Sequence, residues 1–270
     1  MYKIGVILPI YKGDEEGFVK QAVNSILLQS YQDFNIFIGL DGPVTDDVRS
    51  YIDSIEEHPQ IKIVRSSDNR GLACNANDLI REAIKEECEY YARMDADDIS
   101  MPDRFEKQIH YLEDHPDIDC VGTWAIEITS DGKEFYRKRM PLNHEECLDF
   151  FMKRDCVIHP SVMFRKSYIE KAGMYPTDTY YCEDTMMWTQ GFANGCRFAN
   201  IPEYLYKFRL NEGFFSRRRG WKHAKSILLL RWRVNKLLHF PIKAYLYAIL
   251  YAFAKMMPTF LLKVLYRVAR

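Results

Sequence analysis

With 270 residues, of which 47% are hydrophobic and 28% charged, the chain can bury a full core and is not a disordered protein. Its seven cysteines, at positions 74, 88, 120, 147, 156, 182 and 196, are odd in number and scattered without a C-x-x-C pair, so neither a disulfide framework nor a zinc site is suggested and a reducing cytosol fits best. The formal net charge of −1 conceals an acidic body and a basic tail, because thirteen Lys and Arg and no acid follow Glu212, leaving 24 basic against 38 acidic residues up to that point; a negatively charged partner for the tail, nucleic acid or a membrane surface, is implied.

The run Lys3–Ile10 has one basic residue and is too short for a signal-peptide core, so it reads as a first strand. Further strands are predicted at Phe34–Asp41, Ile61–Arg65 and Tyr90–Asp95. Between them lie amphipathic segments at about Glu15–Gln29, Thr45–Glu57 and Gly71–Lys85, with apolar residues at three- and four-residue spacings. This alternation predicts an α/β domain built on a parallel sheet covered by helices. Tyr11, Asp41, Asn69 and Asp95 all fall at or just after strand ends. That edge is where open α/β sheets bind ligands.

Asp95-Ala96-Asp97-Asp98 closes the fourth predicted strand, and Met101-Pro102 beyond it marks a helix start. Carboxylates packed so closely repel one another and raise each other's pKa unless a divalent cation or ligand donors compensate them. A metal held near a phosphate is one reading. A polar turn ending in a helix cap, with Asp98 as the cap, is the other.

From about Cys120 the pattern predicts strands Val121–Thr129 and Glu134–Met140 around a Ser130-Asp131-Gly132 turn, a helix near His144–Lys153, an extended Cys156–Arg165 and a helix from about Cys182. The body ends near Leu210, where Asn211-Glu212-Gly213 breaks the pattern. The remainder reads as helices divided by Pro241 and Pro258. Lys243, Lys255 and Lys263 interrupt its apolar run well short of the roughly 20 residues a spanning helix needs. Aromatic residues mixed with Lys and Arg predict amphipathic helices lying on a membrane; a tail helix packed on the body is the alternative.

Pro9-Ile10-Tyr11, Leu40-Asp41-Gly42, Asp68-Asn69-Arg70-Gly71 with Asn75, Asp95-Ala96-Asp97-Asp98, His159-Pro160-Ser161 and Glu183-Asp184 occur in the order and approximate spacing of the family 2 glycosyltransferases. Over about residues 1 to 210 the chain resembles bacterial members of that family that assemble capsule, exopolysaccharide or O-antigen. The resemblance implies a GT-A fold, a Rossmann-like mixed sheet flanked by helices, with a nucleoside-diphosphate-sugar donor and inversion at the anomeric carbon. It implies a catalytic domain over 1–212, with a nucleotide-binding half at 1–98 and an acceptor half at 99–212, followed by the basic tail 213–270.

Carried onto this chain, the resemblance places Pro9, Tyr11, Asp41, Asn69, Gly71 and Asp95 at the nucleotide. Tyr11 would stack on the base, Asp41 accept its ring N–H, Asn69 and Gly71 shape the adjoining loop, and Asp95 lie near the ribose. Asp97 would ligate Mn²⁺ or Mg²⁺ on the diphosphate. Leu40-Asp41-Gly42-Pro43 departs from the family's more frequent Asp-Asp-Gly-Ser but keeps the Asp before Gly. Asp184, in the first turn of a helix, is the expected base, with Glu183 orienting it or touching acceptor hydroxyls. His159 reads either as a contact to the acceptor or diphosphate or as a structural histidine. Arg209 and the run containing Arg218, Arg219 and Trp221 read either as a lid neutralising the diphosphate or as the solvated start of the tail.

The expected partners are a UDP-sugar, a lipid-linked or oligosaccharide acceptor and an anionic membrane surface touched by 213–270, not nucleic acid, which puts the protein on the inner face of the cell membrane. A nucleotidyltransferase would carry a glycine-rich phosphate loop after its first strand, where this chain has only Tyr11-Lys12-Gly13. An aspartyl phosphatase would have its Asp pair after the first strand, not the fourth. A non-catalytic membrane or nucleic-acid binding protein leaves Asp97 and Asp184 unexplained.

Overall fold

The computed structural model describes residues 3–178, 182–211 and 220–258. In chain order its elements are β1 (Ile4–Tyr11), α1 (Glu16–Leu27), β2 (Phe34–Asp41), α2 (Asp46–Ser54), β3 (Ile61–Arg65), α3 (Leu72–Lys85), β4 (Tyr90–Arg93), β5 (Ile99–Ser100) and α4 (Arg104–Asp114). There follow β6 (Cys120–Thr129), β7 (Glu134–Lys138), α5 (His144–Phe151), a 3₁₀ turn (His159–Ser161), β8 (Met163–Arg165), α6 (Lys166–Ala172), α7 (Glu183–Ala193), β9 (Phe198–Leu210), α8 (Trp221–Leu237) and α9 (Ile242–Met256).

Strand alternation sets the layers. In β1, Ile4, Val6, Leu8 and Ile10 join the core on one side of the sheet and Ile7 joins the core on the other, as a period of two requires. The first core packs Val19 and Val23 of α1, Val48 and Ile52 of α2, and Phe105 and Ile109 of α4; the second packs Leu79 of α3, Phe151 of α5, Tyr168 of α6 and Trp188 of α7. β3, β2, β1 and β4 pair in parallel. Beyond β4 the sheet turns mixed, in the order β8, β6, β9, β5, with β7 a hairpin partner of β6 and the long β6 and β9 parallel to each other.

The predicted extended stretch Cys156–Arg165 is broken by the 3₁₀ turn. Pro160 sits at its start and the Ser161 N–H donates to the Ile158 carbonyl at 2.8 Å, since proline fixes a turn-compatible φ and offers no donor to a ladder. Asp98 caps no helix. α4 begins six residues later, after Asp103, with no side-chain cap, whereas the buried Asp98 carboxylate accepts the Arg209 N–H of β9 at 2.7 Å.

Among the described residues no helix is long and apolar enough to cross a membrane. α8 and α9 pack together, and Val234, Phe240 and Ala244 enter the second core. Arg231 of α8 is 3% exposed; it donates to the Phe151 carbonyl at 3.1 Å and to the Asp155 carboxylate at 2.9 Å. This basic residue of the tail is thus a bolt into the body. Arg231→Met is expected to lower stability by about 2–3 kcal/mol, less than for a fully buried pair because Asp155 keeps partial access to water. A urea midpoint equal to wild type at unchanged slope would show that the bolt carries no stability.

Candidate active site

The C-terminal ends of β1, β2 and β4 converge on a cavity of about 850 Å³. Pro9, Tyr11, Asp41, Asn69, Gly71, Asp95 and Asp97, all named from the sequence for the nucleotide and its metal, line it. Parallel register explains part of this, because Tyr11 lies opposite Asp41 at the same sheet edge. Tyr11 is 42% exposed, so its ring is open to a ligand. Asp41 is buried, with one carboxylate oxygen accepting the Arg70 N–H at 2.8 Å and the other the Gly71 N–H at 2.9 Å, while Asn69 Nδ2 donates to the Asp41 carbonyl at 3.1 Å. Asp41 therefore shapes the 69–71 loop. A carboxylate accepts about four hydrogen bonds, so this support is compatible with a further bond to a ring N–H. Gly42 has φ +78°, and a Cβ there would lie 2.6 Å from the Asn69 nitrogen, which is why glycine follows Asp41.

Asp95, Asp97 and Asp98 bring ligand oxygens within 4.8 Å of one another. Arg93, buried at the end of β4, donates to Asp95 at 2.6 Å and to the Ile7 carbonyl at 3.0 Å. Asn211 donates to Asp97. Burial, then the charge of Asp95, pushes Asp97 up to about 6; burial, then Asp97, pushes Asp98 well above the ordinary carboxylate range. Asp14 lines the same cavity and is pushed up to about 7, chiefly by burial and further by Asp97 and Asp95, against the lowering effect of the Tyr11 N–H it accepts at 2.8 Å. Asp14, Asp95 and Asp97 thus face one cavity with Asp98 buried behind them, and Arg93 is bonded to Asp95 alone among the four. Hard oxygen donors short of positive charge fit a hard divalent cation such as Mg²⁺ or Mn²⁺.

Asp14 and Arg93 escape the sequence reading. Asp14 has one signal, an acid three residues past the end of the first strand; Arg93 is the lone cation in the apolar run Tyr90–Met94.

A second cavity, of about 650 Å³, shares Asp95 with the first and is lined by Asp184, His159 and Asp155 among others. Asp184 sits in the first turn of α7, where the helix dipole favours a carboxylate. Its Oδ1 accepts the Thr185 N–H at 2.7 Å, and the Thr185 hydroxyl donates to Asp155, the partner of Arg231. The turn that carries Asp184 is therefore tied to α8. Glu183 lines neither cavity. His159 Nε2 lies 2.8 Å from the Tyr175 hydroxyl, its ring meets Trp188 edge to face, and burial holds its pKa well below the usual value, so it is a neutral, structurally engaged histidine on the cavity wall.

Arg209 does not present itself to a diphosphate. It is 3% exposed and donates to the carbonyls of Asp97 at 2.7 Å and Ser130 at 3.0 Å and to the Gln21 side chain at 2.9 Å, with its guanidinium over the Phe18 ring. It props the acidic loop. Trp221, the first residue of α8, is 69% exposed and lines neither cavity. Arg218 and Arg219 lie outside the described residues.

The model of a family described as Glycosyl transferase family 2 matches residues 5–173. The amylovoran biosynthesis glycosyltransferase AmsE of Erwinia amylovora is 31% identical over 264 residues, 97% of either chain. The UDP-Gal:alpha-D-GlcNAc-diphosphoundecaprenol beta-1,3-galactosyltransferase of Escherichia coli is 29% identical over 225 residues, 83% of this chain and 80% of that one. Among solved structures, S. aureus TarS 1-349 in complex with UDP-GlcNAc matches with a TM-score of 0.70 at 14% identity, over 93% of this chain and 75% of that one. The mannosyltransferase PcManGT from Pyrobaculum calidifontis, in complex with GDP-Man and Mn²⁺, matches at 0.67 and 17%, over 98% and 79%. At such identities the likeness speaks for the fold, which is the GT-A fold expected from the sequence.

Proposed function

Since this chain belongs to glycosyl transferase family 2 and is a glycosyltransferase, we propose that it moves a hexose or N-acetylhexosamine from a UDP-sugar, with inversion, to a hydroxyl of a lipid-linked saccharide during synthesis of a surface polysaccharide. The observation that carries this reading is the meeting of two cavities at Asp95, one holding the nucleotide edge and the acidic cluster, the other Asp184. The names of the relatives support it: one is named for amylovoran biosynthesis, the other for UDP-Gal and a diphosphoundecaprenol-linked sugar.

In this mechanism Tyr11 stacks on uracil and Asp41 accepts its ring N–H while holding the 69–71 loop. Asp97 would hold a divalent ion, with Asp95 beside it, and such an ion, when bound, stabilises negative charge on the departing diphosphate. The acceptor hydroxyl oxygen attacks the anomeric carbon opposite the phosphate, and the carbon–oxygen bond to phosphate breaks with its electron pair going to UDP. The hydroxyl proton passes to Asp184. One displacement on the opposite face inverts the configuration.

Release of UDP from a panel of nucleotide sugars, with Mn²⁺ or with EDTA, tests the reading. Turnover of a UDP-sugar that requires the metal is expected. Preference for GDP- or ADP-sugars, or full turnover in EDTA, would overturn the donor and metal assignments.

The reading also places α8 and α9 on the inner face of the membrane. Trp232, Ile242, Leu246, Leu250 and Phe253 are exposed apolar residues on these helices, set among basic ones, the composition of an interfacial anchor. Because Arg231, Val234 and Ala244 belong to the body, deleting the whole tail would strip the core. The appropriate probe is Ile242→Glu with Leu246→Glu and Phe253→Glu. This variant is expected to lose flotation with phosphatidylglycerol vesicles and to keep UDP affinity; flotation equal to wild type would contradict the anchor.

A further inference from the structure

Two carboxylates besides Asp95 line the second cavity, Asp155 and Asp184, and their surroundings give them different parts. The Thr185 hydroxyl donates to Asp155 with both carboxylate oxygens at 2.9 Å, and one of those oxygens also takes the Arg231 guanidinium of α8 at 2.9 Å. Asp155 is thus occupied in holding its neighbours. Thr185, 2% exposed, directly follows Asp184, and its N–H donates to Asp184 Oδ1 at 2.7 Å. Where Thr185 sits therefore decides where the Asp184 carboxylate points.

The first turn of α7 does little to hold itself. The chain enters it through Cys182 at φ +63°, a left-handed conformation unfavourable to a residue with a Cβ, and the Cys182 side chain makes no capping bond. One turn further on the helix is firmly set, with Trp188 fully buried and the Thr189 hydroxyl donating to the Thr185 carbonyl at 2.7 Å. At the turn itself the tie is the Thr185 hydroxyl. A hydrogen bond onto a carboxylate paired with a guanidinium is stronger than one between neutral groups. Arg231 is fixed in turn, donating to the Phe151 carbonyl at the end of α5 at 3.1 Å and lying over the Phe151 ring.

We propose that Thr185, held by Asp155 and through it by Arg231 of the tail helix α8, is the positioning residue for the proton acceptor Asp184. The tail then serves the reaction through the body of the protein, without touching substrate. The assignment rests on the reading of Asp184 as the base. Asp155 holds the turn and takes no proton from the acceptor.

Donor hydrolysis by the full chain tests this, because water can replace the acceptor hydroxyl: its oxygen attacks the anomeric carbon, the bond to phosphate breaks with its electron pair going to UDP, and one water proton passes to Asp184. UDP release in Mn²⁺ is measured with UDP-galactose, UDP-glucose, UDP-N-acetylglucosamine and UDP-N-acetylgalactosamine, and variants are compared on the fastest of these at saturating donor. Thr185→Val, close to threonine in size but without the hydroxyl, is expected to lower the rate by about 10- to 100-fold, with UDP affinity by calorimetry within about twofold of wild type. Thr185→Ser, which keeps the hydroxyl, should stay within about threefold of wild type. In an Asp184→Asn background Thr185→Val should change the rate by less than about twofold, since no base is left to misplace. Asp155→Asn, expected to lower the rate in the same direction, provides a second variant should Thr185→Val fail to fold.

A Thr185→Val rate equal to wild type, equal losses in Thr185→Val and Thr185→Ser, a parallel loss of UDP affinity, or a full further loss on top of Asp184→Asn would each overturn the proposal. An Asp184→Asn rate near wild type, or no UDP release from any of the four donors by wild type, would remove the base or the donor reading and the proposal with it. Those failures show without any Thr185 variant and so are distinguishable.

Discussion

Asp184→Asn is expected to keep UDP-sugar affinity and to lower turnover by about 10²–10⁴-fold, the usual contribution of a positioned general base. The amide keeps the size of the side chain and an oxygen that can accept the Thr185 N–H, now at 2.7 Å. The link from the Thr185 hydroxyl to Asp155 and on to Arg231 does not involve the substituted atoms. What is lost is the capacity to take a proton from the acceptor hydroxyl. Initial rates at saturating donor, with UDP affinity measured alongside, separate that loss from a binding defect. Turnover within a few-fold of wild type would place the base elsewhere; Glu183, although it lines neither cavity, would then be the next residue to test.

Asp97→Ala is expected to abolish the Mn²⁺-dependent part of UDP binding, a loss of at least about 100-fold, because the remaining acids repel a diphosphate that no ion bridges. The same carboxylate should make metal-supported binding sensitive to acid. Asp97 at about 6 and Asp14 at about 7 must be ionised to attract the ion, so UDP affinity in Mn²⁺ should fall as pH drops through 7 to 6. Without metal the sign is opposite for stability. A folded-state pKa above the ordinary carboxylate value means that folding favours the protonated form, so stability present at acid pH is lost as pH rises through about 6. Asp97→Asn, neutral throughout, should therefore melt above wild type in EDTA at pH 8, and the difference should close near pH 4. A wild type that melts above the variant at pH 8 in EDTA would mean that the cluster is stabilising as it stands.

The first three strands were legible because short apolar runs rich in β-branched residues lie there between turn residues, and their bounds differ from the reading by a residue at most. β9 was not predicted, since Asn200, Pro202 and Glu203 interrupt its apolar pattern; its long pairing with β6 overrides local preference, with register shifts around Trp124. The lining of the first cavity was legible for a related reason. Pro9, Tyr11 and Asp41 lie at the C-terminal ends of β1 and β2, and Asn69, Gly71 and Asp97 lie in the loops after β3 and β4, where position in the sequence nearly determines position in space.

Other residues depend on distant partners that no local pattern reveals. Arg209 bonds to Gln21, 188 residues away, and was open to reading as a diphosphate ligand only because a basic run follows it. Arg231 reads as one more cation of the tail and is a buried partner of Asp155, 76 residues away. Asp98 sits beside two candidate ligands, but its Oδ1 accepts a backbone N–H of β9.

The cavity at the ends of β1, β2 and β4 is expected to hold a nucleoside diphosphate through a metal on Asp97. The most direct measurement is a crystal grown with UDP and Mn²⁺, with data collected at the manganese edge to locate the ion by its anomalous scattering. One strong anomalous peak is expected between the Asp97 carboxylate and the diphosphate, at a coordination distance of about 2.0–2.4 Å, with uracil against the Tyr11 ring and its N–H at Asp41. UDP bound with its diphosphate away from Asp97, or a manganese peak at other residues with the acidic cluster unchanged, would contradict it.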